Sequence, residues 1–229
     1  MTAITIKHRA TGIILFQGDY ADQRAAIEDA VNTGADIDGA DLRGANLCNA
    51  MLDGAQWRHV SLHGANLTGA NLSEAVIDHC DMRNTTLFGT CFCESRVMDT
   101  DLSGALCGST DMAAARIERV LFSTLSALQM NFRDADVITA CAFHDEAAGQ
   151  TALFARPPVY VGGLDQPVIV LDSHVRVGPH MIPRSVWISI ANDNWPGPTA
   201  ERPDSLVYSF VRRHARLLEA VAGTRIFDI

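Results

Sequence analysis

The chain has 229 residues, 48% of them hydrophobic, and carries 27 acidic against 18 basic residues for a net charge of -9. That size and apolar content suffice for a buried core in one domain or two, while the acidity argues against direct nucleic-acid binding and permits a basic partner. The longest aliphatic runs, 13–16 and 168–171, are far too short to cross a bilayer, and the opening MTAITIKHRA has no apolar leader stretch, so the expected location is the cytoplasm, away from membranes.

Residues 1–34 come first. ITIKH and GIILFQ are short β-rich runs around Ala10, Thr11 and Gly12, and 22–33 carries helical spacing at Ala26, Ile27, Ala30 and Val31 before Gly34 stops it. The spacing predicts a β-hairpin plus a helix, an N-terminal cap for the segment that begins at Ala35.

At GADIDGADLRGANL a period of five begins, which fits neither a helix nor a strand. Steps of five from Ile37 to Ala142 meet an apolar residue every time. Steps from Ala35 to Ala140 meet mostly small residues, with Leu125 and Met130 the clear departures. The reading is 22 pentads in one unbroken phase over residues 35–144. A narrow tube explains the pairing, because each side has room for one large inward side chain only if its inward neighbour is small.

The string ADLRGANL resembles the A(D/N)LXX consensus of the pentapeptide-repeat family. The resemblance covers about half of the chain and implies an all-β solenoid, a right-handed quadrilateral β-helix in which each pentad is one side and four make a coil. Glycine at the fifth position, as at Gly39, Gly44 and Gly54, suits the corners. Coils stacked at the inter-strand spacing of ~4.8 Å would make a rod about 26 Å long with open edges at both ends. Leaders like residues 1–34 are similar to those preceding pentapeptide arrays in phage and bacterial proteins.

After residue 144 the period fails, and all eight prolines lie between 157 and 203. VIVLDSHVRVG, 168–178, reads as a hairpin around Asp172 and Ser173; PRSVWISI as a strand or a short helix; NDNWPGPTAERP as a loop. Residues 204–222 read as an amphipathic helix with Leu206, Phe210, Leu217 and Val221 on one side. Residues 145–229 are thus expected to form a C-terminal mixed α/β module, a second cap, similar to tails of prophage pentapeptide proteins.

Residues twenty apart should share a wall of the prism. Sorted this way, the walls carry net charges of -2, -1, 0 and -4. The fourth wall holds Asp53, Glu74, Glu94, Asp111 and Asp134 against Arg133 alone; the third is uncharged and presents Phe88, Leu106 and Leu128 outward. Pentapeptide-repeat proteins that shield type II topoisomerases from quinolones are thought to imitate duplex DNA with an acidic rod, and the resemblance implies the same use for the acidic wall. Five carboxylates over five coils are sparse beside the phosphates of B-DNA, and a solvated acidic face would also keep a rod soluble. The uncharged strip suits a protein partner, either a second copy in a homodimer or the C-terminal module folding back.

His59, His79 and Asp99 stack at one corner and could hold a metal, but no fourth ligand is evident and the reading is a polar column without metal. The HVSLH stretch at 59–63 straddles a corner and is discounted. Cys91 and Cys93 flank Phe92, the six cysteines form no CxxC, and reduced thiols are expected. The RRHAR run in the last helix reads as its solvated face. With no phosphate loop, dinucleotide fingerprint or nucleophile elbow, no catalytic residue and no cofactor are expected. The chain reads as a non-enzymatic macromolecular binding protein: a DNA-mimic inhibitor or protector of a nucleic-acid enzyme, as in phage and host conflict, or else a structural module that assembles through its uncharged face.

Overall fold

The computed structural model describes residues 1–124, 126–127, 130–161, 163–191, 208–210 and 212–214. The chain divides into two compact units, Met1–His144 and Asp145–Ile229.

The first unit opens with β1 (Thr2–Lys7) and β2 (Ile14–Tyr20), an antiparallel hairpin, followed by α1 (Gln23–Asn32). The Asp22 carboxylate caps α1 by accepting from the Ala25 N–H at 2.8 Å, and the helix buries Ala26, Ile27 and Ala30. Both pieces meet the edge of the first coil. The Arg9 N–H donates to Gly39 O and the Asp41 N–H to Lys7 O, each at 2.8 Å, while Glu28 accepts from the Met51 N–H at 2.9 Å. Edge amides that a solenoid would leave unpaired are thereby satisfied.

Within the array, short strands recur on two walls: β3 (Gln56–Arg58), β4 (Val76–Asp78), β5 (Arg96–Met98), β6 (Asp101–Leu102), β7 (Arg116–Glu118), β8 (Leu121–Phe122), β9 (Val137–Thr139) and β10 (Cys141–Asp145). β3, β4, β5, β7 and β9 stack in parallel on the first wall, and β8 lies between β6 and β10 on the second. The third and fourth walls are joined by single bridges, Asn46 to Asn66 to Thr86 to Leu106, and Met51 to Asn71 to Cys91 to Asp111 to Asn131. Every described bridge that joins two residues of the stretch 41–131 connects positions twenty apart, so each pentad is one side of a four-sided coil.

Among the described residues the large inward series is buried from Ile37 to Phe132 and the small one from Ala40 to Met130. The large one from Ile37 to Phe132 fills the axis, and the small one lets it in. Where the small residue is polar, its hydroxyl returns to a carbonyl of the tube: Thr90 donates to Leu67 O at 2.7 Å, Ser95 to Phe92 O at 2.6 Å and Thr110 to Leu87 O at 2.7 Å. No polar group of those three is stranded in the core.

The phase is not unbroken to 144. Opposite Arg116 the chain gains one residue: the Asp136 and Val137 N–H groups both point to Ala115 O, at 3.0 and 3.5 Å, and the pairing beyond runs Ile117 to Ile138 and Phe122 to Phe143, twenty-one apart. This is a β-bulge, and a one-residue slip exchanges the two faces of a strand. Ile138, Cys141 and Phe143 are buried in place of the expected Val137, Ala140 and Ala142. Holding the phase would have placed Ala142 inward and left Phe143 in water, so burial of the larger side chains favours the slip.

The second unit contains β11 (Gln150–Phe154), β12 (Val159–Val161), β13 (Val168–Val170), β14 (His174–Val177), β15 (His180–Pro183) and α2 (Arg184–Ala191). β12 to β15 form an antiparallel meander, with β13 and β14 joined at the expected Asp172–Ser173 turn. In PRSVWISI, Pro183 ends β15 and the rest is helix α2, which carries Trp187 into a core with Val168, Val170, Val175, Val177, Ile182 and Phe210. Arg176 and Asp145 form a buried ion pair at 2.8 Å, and Arg176 also donates to Gly178 O. Residues 208–210 and 212–214 are helical; the expected loop at 192–203 and the remainder of the 204–222 helix lie outside the described residues. Among the described residues no helix is long and apolar enough to cross a membrane.

Candidate functional site

The four walls differ in how their charges are used. On the second, Arg43 holds Asp41 with bonds of 2.7 and 2.6 Å, and Arg83 holds Asp81 at 2.8 Å. On the first, Arg116 reaches Asp136 at 2.7 Å and Arg119 grips both oxygens of Asp99 at 2.7 Å. These guanidinium contacts hold the carboxyls of Asp41, Asp81 and Asp99 below the usual carboxylate range, hydrogen bonding being the largest cause in each.

The fourth wall lacks this internal neutralisation. Asp53, Glu74 and Glu94 are exposed and make no side-chain hydrogen bond or ion pair among the described residues. Glu74 and Glu94 occupy the same corner on successive coils, with φ of 57° and 58°, and Asp134 turns that corner two coils further on. Asp134 is paired with Arg133 at 3.4 Å, both side chains 82% exposed, a contact worth little in water. Asp111 differs again: it is half-buried in the row of wall bridges and accepts from Asn131 at 2.7 Å and from the Ala113 N–H at 3.0 Å. The five acids therefore share a wall without forming one line. Three are free, one is loosely paired and one is part of the scaffold.

On the uncharged wall, Phe88 and Leu106 are 45% and 46% exposed, in adjacent rows of successive coils. Phe88 is partly accommodated within the wall, because a Cβ at Gly108 would lie 2.6 Å from its ring: the glycine makes the bed for the aromatic. Leu128 lies outside the described residues.

At the corner after the first wall the chain stacks His59, His79, Asp99 and Arg119, all with left-handed φ between 46° and 53°. The two imidazole rings are 5.4 Å apart. Each is tied at Nδ1 to a carboxylate, His59 to Asp38 at 3.0 Å and His79 to Asp78 at 2.7 Å. Asp78, His79 and Asp99 each present a ligand atom within 4.8 Å of the others. The sequence ladder contained His59, His79 and Asp99 but missed Asp78 and Asp38, whose signal was the residue just before a corner histidine or one coil earlier.

All six cysteines are free thiols. Burial pushes Cys80 and Cys107 up to about 12 and Cys141 up to about 11, which leaves them inert packing residues. Cys91 and Cys93 are half-buried on the acidic wall, and desolvation, with Cys91 and Asp111 beside it, pushes Cys93 up to about 12.

Residues 33–64 and 58–93 match the family model of pentapeptide repeats, in eight copies. The repeat segment of this chain is therefore a pentapeptide-repeat array of the β-helical kind. Among solved structures, a pentapeptide repeat protein of the Arabidopsis thaliana thylakoid lumen is 21% identical, over 56% of this chain and 73% of that one, with a TM-score of 0.32. QnrB1, a plasmid-mediated fluoroquinolone resistance protein, is 21% identical over 47% of this chain and 64% of its own, with a TM-score of 0.30. HetL, involved in heterocyst differentiation regulation in the cyanobacterium Nostoc, is 21% identical over 49% and 64%, with a TM-score of 0.20. The chain spans under two thirds of the last two. A search of curated proteins finds no match. What those neighbours do is not carried over with so distant a likeness.

Proposed function

We propose that the array is a non-catalytic display surface whose acidic wall docks onto the basic groove of a nucleic-acid enzyme. The observation that carries this reading is the contrast between walls: Asp41, Asp81, Asp99 and Asp136 on the first and second walls are held by arginines, whereas Asp53, Glu74 and Glu94 face solvent with no ion pair among the described residues. Unneutralised charge on a rigid surface steers a basic partner and needs no reorganisation on binding. The wall carries fewer charges than duplex DNA of the same length, so the fit is to part of a DNA footprint.

Supercoiling by a type II topoisomerase in the presence of the full chain tests this. Inhibition is expected from the wild type and is expected to be lost in the Asp53→Asn, Glu74→Gln, Glu94→Gln triple variant. Inhibition that survives neutralisation removes the acidic wall from the account.

A second reading is favoured by the exposed Phe88 and Leu106: assembly of two copies through the uncharged wall. Sedimentation of the full chain decides it. A dimer converted to monomer by Leu106→Arg supports assembly, and a wild-type monomer excludes it.

A further inference from the structure

We propose that the corner ladder at Asp78, His79 and Asp99 binds a divalent transition-metal ion of the zinc class. This goes beyond the display-surface reading and is independent of the acidic wall. Three ligand atoms no more than 4.8 Å apart have a common centre within about 2.8 Å of each, whereas zinc needs about 2.0–2.2 Å to nitrogen and oxygen, so side-chain motions of under ~1 Å bring these three to bonding distance. His79 has room to move: its side chain is 55% exposed, and its one hydrogen bond among the described residues is to Asp78.

The fourth ligand would swing in from the coil below, from outside the group of three that lies within 4.8 Å. His59 stacks 5.4 Å from His79. Its Nδ1 is already oriented by Asp38 at 3.0 Å, which leaves Nε2 for an ion, the carboxylate–histidine arrangement that supports metal-binding imidazoles. One imidazole, two carboxylates and a second imidazole are a nitrogen and oxygen donor set suited to zinc or nickel rather than to calcium. Solenoid geometry makes the set possible, since residues distant in sequence recur at one corner every ~4.8 Å.

Arg119 competes. Its guanidinium occupies both Asp99 oxygens at 2.7 Å, so the ion must displace it, exchanging one cation for another at Asp99. Removing that arginine should tighten binding.

Calorimetric titration of zinc chloride into the full chain under reducing conditions tests the proposal. Asparagine is the replacement of choice at 59 and 79, because it tolerates the left-handed corner that both histidines adopt and so preserves the fold. One zinc per chain is expected in the wild type. Binding should be weaker by about tenfold or more in His79→Asn and in His59→Asn, unchanged in Cys91→Ser/Cys93→Ser, and tighter in Arg119→Gln. No saturable zinc uptake by the wild type, wild-type affinity in His79→Asn, or loss of uptake in the double serine variant would each overturn it.

Discussion

Ala114 turns its corner at φ 55°, a conformation in which a Cβ crowds the following carbonyl. Its equivalents elsewhere are glycines such as Gly54, at φ 70°, or asparagines such as Asn84, at φ 57°. Relief of that crowding outweighs the extra freedom of an unfolded glycine, so Ala114→Gly is expected to raise stability by about 0.5–1 kcal/mol. The reverse change isolates the same term. A Cβ at Gly54 meets nothing within 4 Å, so Gly54→Ala should cost about 1 kcal/mol through backbone conformation alone, read from denaturant midpoints. The corners occupied by Glu74, Glu94, His59 and His79 carry the same unfavourable backbone angle while presenting ionisable side chains to solvent. Strain accepted at a position where glycine would serve is consistent with a role for what the side chain offers.

At the level of the coil, the bulge at Asp136 and Val137 decides which residues hold the last turn together. Phe143→Ala is expected to cost about 3–5 kcal/mol, as for a buried aromatic, while Ala142→Ser stays within about 0.5 kcal/mol. An unslipped register would reverse that order. The sequence made the coil legible from Ile37 to Phe132 because each side needs one large and one small residue, a requirement that local propensity does not blur. It failed at the last turn because Val137 and Ala142 are apolar, and apolarity alone satisfied the period; the greater size of Ile138 and Phe143 was the overlooked signal. The two-wall contrast in charge was legible as a count of acids, but which acids are free was not. Arginine placement one coil away, as for Arg119 and Asp99, or two residues away, as for Arg83 and Asp81, becomes visible only once the coils are stacked. PRSVWISI was ambiguous for a different reason: a short apolar run satisfies strand and helix alike until Trp187 has a core to enter.

For the whole chain, net charge and its distribution set two expectations. Burial lowers the pKa of His174, so the unfolded chain takes up that proton first; stability of Asp145–Ile229 is expected to fall as pH drops through about 6.5, and not to recover below. Asp41, Asp81 and Asp99 behave oppositely in range. Their depressed native values give stability that is present above about pH 4 and is lost as pH falls through the native pKa values, so the repeat unit should resist mild acid and yield only below about pH 4. Thermal melts across a pH series from neutral to strongly acidic should show these two limbs in that order. The acidity of the fourth wall raises the remaining question, whether position or mere charge governs docking. Displacement of a fluorescent duplex from a type II topoisomerase by the full chain answers it most directly when two variants of equal charge change are compared, Asp53→Asn/Glu74→Gln/Glu94→Gln on the fourth wall and Asp41→Asn/Asp81→Asn/Asp101→Asn on the second. Docking through the fourth wall predicts displacement by the wild type and the second-wall variant and none by the fourth-wall variant; equal loss in both variants, or no displacement by the wild type, would contradict it.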